Sequence, residues 1–493
     1  MEEQQPILLV QGDQNWLEVE NAALNTVVQI FSQVGKFNWL EPYRVQVQYE
    51  SRGTGFFVND QGYLITNAHV VNEAKTVWIN IPALGREMVK VEIVGFCPDR
   101  DLALLRILPQ ELDHVRERLG RVPFLMLGDS NSVRRTDKVL VLGYPLGQYR
   151  MKSTTGVVSG REAVDTISYL QITAPINPGS SGGPLISTQG AVVGITVAAV
   201  PDASNVGYAI PVNELKLIFE DLVETRLLRK PILGANFHNA TDDHARFLGN
   251  PLPAGLYVHK VFKGSLLQKA GVQPQDMIYE LNGYRLDSYG EATVPWGSGK
   301  ISLYDLISSL PIGKEVKLLV YRFGEKKEFK FKLEELAPYA IRIKFPDYED
   351  VEHEIFGGVV VMELTVNHLP LLVDLAPGLI RFKKVENMLE SALVITHILP
   401  GSRAQQLRCL IPGDIIKEMN GKPVKTVADF RAALQKNEEE KFLSLKTADD
   451  VLAVFDFQAT LADEKRLSKD FTYPISKTVE KLIKTTNNGK KTS

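Results

Sequence analysis

Short apolar runs broken by turn residues dominate the chain from about residue 45 to residue 212. Valine, isoleucine, leucine and phenylalanine alternate with polar residues in these runs, and glycine, proline, asparagine or aspartate separates one run from the next. Alternation of this kind, without long helical stretches between the runs, is typical of an antiparallel barrel or sandwich. We expect about ten strands, which is enough for two small β-barrels.

Two segments flanking this region have the apolar spacing of helices. Residues 20–34 read ENAALNTVVQIFSQV, and residues 212–228 read VNELKLIFEDLVETRLL. In both segments apolar residues recur at intervals of three and four, which predicts amphipathic helices. We expect the second helix to close the β-rich region, and we place a domain boundary near residue 229.

The C-terminal half contains an internal repeat over residues 255–286 and 392–424. Each copy has a strand, a turn with serine, a short helix, a second turn with aspartate, a second strand and an Asn-Gly pair. Repetition of a whole supersecondary unit indicates two copies of one domain, of which the second carries a long insertion. The lysine-rich tail at 476–493 is expected to be frayed or disordered.

Composition argues against several functional classes. The 493 residues are 44% hydrophobic and 23% charged, with 56 basic against 59 acidic residues. This balance gives no reason to expect nucleic-acid binding, and no apolar stretch reaches the ~20 residues of a membrane-spanning helix. The N-terminus has no pattern of a signal or transit peptide, and Cys97 and Cys409 are the only cysteines. We therefore expect a cytoplasmic protein without disulfides, structural zinc or membrane insertion.

A serine nucleophile with its base and orienting acid can be assembled from the β-rich region. His69 lies in TNAHVV, where small and turn-forming neighbours leave its ring free, and Asp101 directly precedes the apolar run LALL. Ser180 and Ser181 are adjacent in NPGSSGGPL, whose glycines allow a tight turn that aims amide N–H groups at a substrate carbonyl. Acyl transfer by serine requires these parts. Either serine fits, and Asp99 is a rival to Asp101, which we prefer for its place beside a buried run.

Seven motifs occur in the order found in the protease domain of the HtrA (Deg) family of trypsin-like serine proteases. They are TNAHVV, DLALL, LGDS, GYPLG, TGVVSG, NPGSSGGPL and VGYAIP. The resemblance implies a mainly β fold, with a chymotrypsin-like double β-barrel followed by two PDZ domains of the α+β class. The implied divisions are an N-terminal segment at 1–44, the protease domain at 45–229, PDZ domains at 230–338 and 339–475, and the tail. Details of the PDZ domains resemble the plant-type Deg subgroup.

The family motif GNSGGP aligns with GSSGGP and implies that Ser181 is the nucleophile, with His69 as the general base and Asp101 as its orienting acid. The implied oxyanion hole consists of the backbone N–H groups of Gly179, Ser180 and Ser181. The strand implied to bind substrate contains Ile195, Thr196, Val197 and Ala198. These residues are small or apolar, so we expect cleavage after valine, isoleucine or leucine in unfolded chains. No metal or cofactor is implied.

The resemblance also implies roles outside the protease domain. In the first PDZ domain the implied carboxylate-binding loop contains Ile232, Leu233 and Gly234, and a linker followed by an edge strand is the alternative interpretation. Homo-oligomers built from trimers are implied. The candidate aromatic contacts between subunits, which ordinary packing would explain equally well, are Trp16, Phe31, Phe37, Trp39 and Tyr43. The predicted function is ATP-independent proteolysis of misfolded or damaged proteins, and the alternative is a chaperone or scaffold with an inactive protease fold.

Overall fold

A computed structural model describes residues 16–164, 167–197, 206–295, 300–334, 339–437 and 440–489. The described residues form two compact units. The first unit comprises those within Met1–Val34 and Gln48–Leu336, and the second comprises those within Gly35–Val47 and Ala337–Ser493. The first unit contains two closed β-barrels and a β-sheet domain, and the second contains a further β-sheet domain. The fold is mainly β, as the sequence predicts.

The first barrel follows helix α1 (Trp16–Ala23) and has the strand order β1-β2-β3-β6-β5-β4. Its strands are β1 (Val27–Lys36), β2 (Val47–Phe57), β3 (Tyr63–Thr66), β4 (Ala74–Asn80), β5 (Met88–Cys97) and β6 (Leu102–Ile107). The one-turn helix α2 (Ala68–Val71) follows β3. Leu64 of β3 and Leu104 of β6 are both fully buried.

Strand β1 corrects the prediction of a helix over residues 20–34. Helix α1 ends at Ala23, and the chain is extended from Val27 onward. Val27, Val28 and Ile30 are all fully buried. A strand that is buried on both faces loses strict alternation, so its apolar spacing imitates that of a helix. The residues before position 45 therefore supply a strand of the first barrel instead of a separate segment.

The second barrel follows helix α3 (Pro109–Leu119) and has the strand order β10-β11-β12-β9-β8-β7. Its strands are β7 (Lys138–Gly143), β8 (Lys152–Val164), β9 (Ile167–Ile172), β10 (Pro184–Ser187), β11 (Val192–Val197) and β12 (Gly207–Pro211). Helix α4 (Val212–Glu224) comes next, at the predicted place. Its buried Leu215 belongs to one apolar cluster with Leu104 of the first barrel and Leu142 of the second, so the two barrels share a core.

The first repeat is a sheet with the order β13-β14-β15-β19-β20, in which β16 pairs with β15. Its strands are β13 (Ala235–His238), β14 (Leu256–Val261), β15 (Met277–Leu281), β16 (Tyr284–Arg285), β17 (Glu291–Thr293), β18 (Lys300–Ser302), β19 (Glu315–Arg322) and β20 (Glu325–Lys332). Its helices are α5 (Asp242–Phe247), α6 (Leu266–Ala270) and α7 (Leu303–Ser308). Strand β13 lies at the edge of the sheet.

The second repeat is a sheet with the order β21-β22-β23-β24-β26-β27, in which β25 pairs with β24. Its strands are β21 (His353–Phe356), β22 (Val359–Glu363), β23 (Leu393–Ile398), β24 (Ile415–Met419), β25 (Lys422–Pro423), β26 (Phe442–Thr447) and β27 (Leu452–Asp456). Its helices are α8 (Leu369–Leu372), α9 (Arg403–Leu407), α10 (Val427–Lys436), α11 (Phe457–Phe471) and α12 (Lys477–Gly489). In this repeat β22 lies between two strands, unlike β13 in the first.

Helix α12 contradicts the prediction of a disordered lysine-rich tail over residues 477–489. Val479 and Leu482 are buried and share an apolar cluster with Phe430 of α10. The apolar residues recur at helical spacing, so the lysines occupy the outer face, where Lys481 and Lys484 are exposed.

The segment Gly35–Val47, which connects β1 to β2, belongs to the second unit. The ring of Trp39 lies 5.1 Å from the imidazole of His368, and the ring of Tyr43 lies 5.8 Å from that of Tyr473, measured between centroids. Packing within the chain therefore accounts for these two candidate subunit contacts. The other candidates also have partners in the chain. Phe37 packs on Trp39, the ring of Phe31 contacts the guanidinium of Arg52, and Trp16 packs on the barrel core.

Candidate active site

His69 and Asp101 are in direct contact. The ring Nδ1 of His69 lies 2.9 Å from Asp101 Oδ2, and the backbone N–H of His69 donates to Asp101 Oδ1 at 3.0 Å. The Asp101 side chain is 17% exposed, whereas that of His69 is 47% exposed. The carboxylate therefore holds the Nδ1 side of the imidazole and leaves the Nε2 side free to accept a proton.

A strained turn places Asp101 at this point. Residues Pro98–Arg100 form a 3-10 turn, and Asp101 follows with a φ of +52°, in the left-handed region that aspartate tolerates better than most residues. The Asn67 side-chain amide donates to the backbone carbonyl of Asp101 at 3.0 Å. Asn67 also directly precedes helix α2, which carries His69. The segments that carry His69 and Asp101 are thus joined by hydrogen bonds to backbone groups as well as by the contact between the two side chains.

The loop that carries Ser181 comes from the second barrel and is anchored on Thr54 of the first. The Thr54 hydroxyl donates to the carbonyl of Gly179 at 2.7 Å, and the Thr54 backbone N–H donates to the carbonyl of Ser181 at 2.8 Å. Thr54 is fully buried. Its neighbours in sequence predict only an ordinary strand residue, so this anchor is not identifiable from the sequence.

Glycine is required at two positions of the loop. Gly179 and Gly182 have φ angles of +96° and +85°. A Cβ on Gly182 would lie 2.1 Å from the Thr54 carbonyl oxygen, 2.3 Å from the Thr66 hydroxyl and 3.1 Å from the backbone nitrogen of Asn67. The residue after Ser181 is therefore packed against the segment that leads into His69. Within the described residues no hydrogen bond joins the Ser181 hydroxyl to His69, and such bonds often form only when substrate is bound.

Two backbone amides of the loop are free to stabilise an oxyanion. Among the described residues, the N–H groups of Gly179 and Ser181 have no hydrogen-bond acceptor. The N–H of Ser180, by contrast, donates to the Asn177 carbonyl at 3.0 Å. The Ser180 N–H is thus used to close the turn, which disfavours its predicted role as an oxyanion donor. Gly179 and Ser181 stay the predicted pair.

Strand β11 contains three of the four residues that are predicted to bind substrate. Ile195 and Thr196 are fully buried. The Thr196 hydroxyl donates to the carbonyl of Ser180 at 2.7 Å, and the Thr196 carbonyl accepts the N–H of Gly182 at 2.9 Å. Thr196 therefore supports the serine loop, and the side chains of both residues are buried. Val197 is half-buried at the end of the strand, and Ala198 lies outside the described residues.

The predicted carboxylate-binding loop of the first repeat leads directly into strand β13. Among the described residues, the N–H groups of Leu233 and Gly234 have no acceptor. Gly234 has a φ of +74°, and a Cβ there would lie 2.1 Å from the Cβ of Ser265. The ring of Phe237 on β13 lies 5.9 Å from that of Tyr304 on α7. An edge strand that contacts a helix thus follows a loop with free amide donors.

The equivalent loop of the second repeat is already occupied by the chain itself. A Cβ added to Gly358 would lie 2.1 Å from the Cβ of Ser402, just as a Cβ added to Gly234 would lie 2.1 Å from the Cβ of Ser265. The N–H of Gly357 donates to Glu464 of α11 at 2.5 Å. Strand β21 pairs with β22 at the edge that a peptide would otherwise occupy. The second repeat therefore has no open groove at this edge.

Burial changes the acidity of Glu464. This residue is fully buried, and desolvation of its carboxylate raises its pKa to about 7, although hydrogen bonds from Gly357 and Tyr473 act in the opposite direction. The hydroxyl of Tyr473 lies 3.1 Å from Glu464 Oε2. The internal carboxylate is thus held by the loop and by a tyrosine.

Two negative findings concern the described residues alone. No group of three or more histidine, cysteine, aspartate or glutamate side chains in the described ranges is arranged to hold a metal ion. Within the same ranges no helix is both long enough and apolar enough to cross a bilayer.

Comparison with known proteins identifies a trypsin-like peptidase domain over residues 53–195. The chain is 27% identical over 405 residues to a probable periplasmic serine endoprotease, DegP-like, of Hahella chejuensis, covering 80% of this chain and 78% of the relative. The DegP-like protein of Chlamydia trachomatis is also 27% identical, over 423 residues, covering 84% of this chain and 75% of the relative. The serine protease Do-like HtrA of Bacillus subtilis is 31% identical over 296 residues, covering 56% and 61%.

Among solved structures, the HtrA-type protease AlgW with decapeptide aligns with a TM-score of 0.50 and 22% identity. The alignment covers 65% of this chain and 98% of AlgW. At this level of identity the match supports the fold alone.

The predicted cytoplasmic location is wrong. The relatives from Hahella chejuensis, Chlamydia trachomatis and a Marinomonas species are all named periplasmic. The prediction depended on the lack of a recognisable export signal, and a missing pattern does not define a compartment.

The similarity to the DegP-like relatives extends well beyond the trypsin-like domain and covers 80% or more of this chain in two of them. The plant-type subgroup stays a prediction from the sequence. The structure supplies two barrels with His69 and Asp101 in contact on one barrel and a glycine-rich serine loop on the other. The chain therefore carries a trypsin-like peptidase domain, is similar over most of its length to DegP-like serine endoproteases, and is a serine endopeptidase.

Proposed function

We propose that His69, Asp101 and Ser181 form the catalytic triad of this endopeptidase. The observation that carries the proposal is the contact of 2.9 Å between His69 Nδ1 and Asp101 Oδ2. It is supported by the packing of Gly182, the residue after Ser181, against the chain that leads into His69. The general base and the nucleophile thus come from adjoining segments of two barrels.

In the first half-reaction the Ser181 Oγ attacks the carbonyl carbon of the scissile peptide bond, and His69 Nε2 takes the hydroxyl proton. The negative charge that develops on the carbonyl oxygen is stabilised by the N–H groups of Gly179 and Ser181. The C–N bond then breaks, and His69 returns the proton to the leaving amine. Asp101 remains ionised and stabilises the imidazolium throughout.

In the second half-reaction water attacks the acyl-enzyme ester at the same carbonyl carbon. His69 accepts a proton from this water, and the same two amides stabilise the second tetrahedral intermediate. The ester C–O bond breaks, Ser181 recovers its proton from His69, and a new C-terminal carboxylate leaves. Both half-reactions use the same three side chains.

The substrates that fit this arrangement are unfolded segments of misfolded or damaged proteins. A peptide bond must lie extended in the site, and folded proteins do not present such segments. The half-buried Val197 supports a preference for valine, isoleucine or leucine before the cleaved bond. The first repeat acts as a PDZ domain, because free amides at Leu233 and Gly234 suit the C-terminal carboxylate of a bound chain.

Digestion of casein by the wild type, Ser181→Ala and Ser180→Ala tests the proposal. Loss of the nucleophile should lower the rate by about 10⁴ or more, whereas Ser180→Ala keeps every backbone group of the loop and should retain most activity. Circular dichroism establishes that each variant is folded. Equal loss in the two variants, or an active Ser181→Ala enzyme, would contradict the assignment.

We also propose that the enzyme assembles as trimers or multiples of trimers. Val47 is 74% and Tyr49 is 51% exposed, and side chains two residues apart lie on one face of strand β2. Apolar groups exposed together on a strand favour association. Light scattering of the wild type and of Val47→Lys measures the mass in solution. A monomeric wild type contradicts this proposal.

A further inference from the structure

A cleft with a volume of about 510 Å³ lies between the second barrel, helix α4 and the segment around helix α7. Its polar lining includes Arg161 of β8 and Lys216 of α4, and its apolar lining includes Leu217, Ile301 and Leu310. Sites for small molecules typically measure about 300–1,000 Å³ and combine apolar surface with a few polar groups. The cleft therefore has the size and the lining of a small-molecule site.

This cleft lies on a different side of α7 from strand β13. Asp305 of α7 lines the cleft, whereas the ring of the preceding Tyr304 lies 5.9 Å from that of Phe237 on β13. Neighbouring residues of a helix point in directions about 100° apart. A ligand in the cleft would therefore not occupy the edge of β13 that suits a peptide.

Arg161 is half-buried in the cleft and uses few of its hydrogen-bond donors. Its Nη2 donates to the backbone carbonyl of Ser130 at 2.6 Å. Among the described residues this is the only hydrogen bond of the guanidinium, and no carboxylate pairs with it. A guanidinium has five N–H donors in a planar fork that matches a phosphate or a carboxylate. Arg161 is thus free to bind an anionic group.

The surroundings of Arg161 oppose its positive charge. Burial and, after it, the charge of Arg134 lower the pKa of the Arg161 guanidinium, and Asp129 offsets this lowering only in part. The Oδ1 of Asp129 already accepts the side-chain amide of Asn213 at 2.7 Å and the backbone N–H of Asn131 at 2.9 Å. A bound anion would therefore stabilise the charged form of Arg161.

The carboxylates that line the cleft already have partners. Glu214 pairs with the guanidinium of Arg100, and the Oδ2 of Asp305 accepts the backbone N–H and the hydroxyl of Ser302. Lys216, by contrast, is exposed and has no ion pair within the described ranges. The unpaired charges of the cleft are therefore positive.

We propose that this cleft binds a small molecule in which a phosphate or carboxylate group is attached to an apolar body. The anionic group contacts the guanidinium of Arg161, and Lys216 adds a second positive charge nearby. The apolar body lies against the side chains of Leu217, Ile301 and Leu310. Inorganic phosphate binds more weakly, because it leaves this apolar surface in contact with water.

Isothermal titration calorimetry on the full Ser181→Ala chain, chosen to limit self-digestion, tests the proposal. The probes are phenyl phosphate, benzoate, inorganic phosphate and phenol. We expect at least one of the two aromatic anions to bind with one site per chain, at least about tenfold more tightly than inorganic phosphate. Phenol has no charge and should not bind measurably. The tighter of phenyl phosphate and benzoate identifies the anionic group that the cleft prefers.

A second substitution, Arg161→Gln, should lower the affinity for the tighter aromatic anion at least about tenfold, because it removes charged hydrogen bonds. Arg116→Gln is the matched control. The guanidinium of Arg116 on α3 also donates to one backbone carbonyl, that of Asp60 at 3.3 Å, and Arg116 does not line the cleft. Its substitution changes the net charge equally and should leave the affinity as it is.

Lys216→Gln changes an exposed side chain, so it should not disturb folding, and it should lower the affinity about twofold to fivefold. Thermal melting establishes that each chain is folded. The proposal is overturned if neither aromatic anion binds, if phenol binds as tightly, or if a folded Arg161→Gln chain keeps the full affinity. Should Arg161→Gln fail to fold, an unchanged affinity in Lys216→Gln overturns it. None of these readouts depends on catalysis by Ser181.

Discussion

Asp101 binds His69 at two points, because one carboxylate oxygen accepts the backbone N–H and the other lies 2.9 Å from ring Nδ1. Asp101→Asn keeps the size of the side chain but presents an amide group to these two donors. We expect kcat to fall by about 10⁴, as the imidazole loses the tautomer and the charge stabilisation that it needs. Initial rates on a peptide substrate measure the effect.

Asp99→Asn is the control for this prediction, because the sequence alone leaves Asp99 as a rival. Its carboxylate contacts Lys230 and Arg229 and does not contact His69. We expect a much smaller loss of kcat in this variant. Losses of similar size in the two variants would remove the distinction between the orienting acid and its neighbour.

Gly182→Ala tests whether the serine loop tolerates a side chain. The added methyl group would lie 2.1 Å from the Thr54 carbonyl oxygen, so the loop must move away from the first barrel. Since one misplaced oxyanion donor typically lowers the rate by about 10²–10³, we expect at least that loss. Gly264→Ala is the matched control, because Gly264 has a φ of +79° and a Cβ added there would meet no atom within 4 Å among the described residues. Full activity of Gly182→Ala would show that the loop packs more loosely than these distances indicate.

Glu464 makes the stability of the second unit depend on pH. Its pKa is raised from 4.5 to about 7 by burial, so folding is favoured by the protonated form. This stabilisation is complete below about pH 4.5 and is lost as the pH rises through about 7. Glu464→Gln keeps an acceptor for Gly357 without the charge, so it should be more stable than the wild type at pH 8 by up to roughly 3 kcal/mol. At about pH 4.5 the two should be equal.

Urea unfolding at the two pH values measures this difference, with Glu440→Gln as an exposed control. The control should change stability little at either pH. A Glu464→Gln chain that is less stable than the wild type at pH 8 would mean that the ionised carboxylate is the favoured form in the folded protein.

The two repeats should differ in peptide binding. Gly234→Ala and Gly358→Ala create the same clash, with a Cβ 2.1 Å from the Cβ of a serine that caps a short helix. We expect Gly234→Ala to weaken binding of a labelled C-terminal peptide at least about tenfold, because it distorts the loop with free amides. Gly358→Ala should leave binding unchanged, since β21 and Glu464 already fill the second groove. Anisotropy titrations that show two sites per chain would contradict this difference.

The order of the motifs predicts the base and the acid, and the structure brings His69 and Asp101 into contact. The anchors of the serine loop cannot be predicted in this way. Thr54 lies 125 residues before Gly179, whose carbonyl it binds, and nothing in a strand sequence shows which loop of another barrel will pack on it. The sequence analysis assigns Thr196 to substrate binding. The contacts of Thr196 with the serine loop could not be predicted either, because they depend on closure of the second barrel.

The errors in secondary structure have related physical causes. Strand β1 is buried on both faces, which removes the alternation that identifies a strand. Helix α12 carries many lysines, but two buried positions, Val479 and Leu482, are enough to hold it on the second unit. In both cases tertiary packing decides the structure, whereas the local sequence alone favours a different one.

The connection between β1 and β2 cannot complete its packing until late in the synthesis of the chain. The ribosome releases Trp39 and Tyr43 early, whereas their partners His368 and Tyr473 are made much later. Until then the two rings lack these packing partners, and a chain that terminates early never acquires them. Exposed apolar surface on a nascent chain attracts chaperones and promotes aggregation. Translation as far as Tyr473 is therefore needed before the connection between β1 and β2 is fully packed. Truncated products keep its aromatic rings exposed, which distinguishes them from the complete chain.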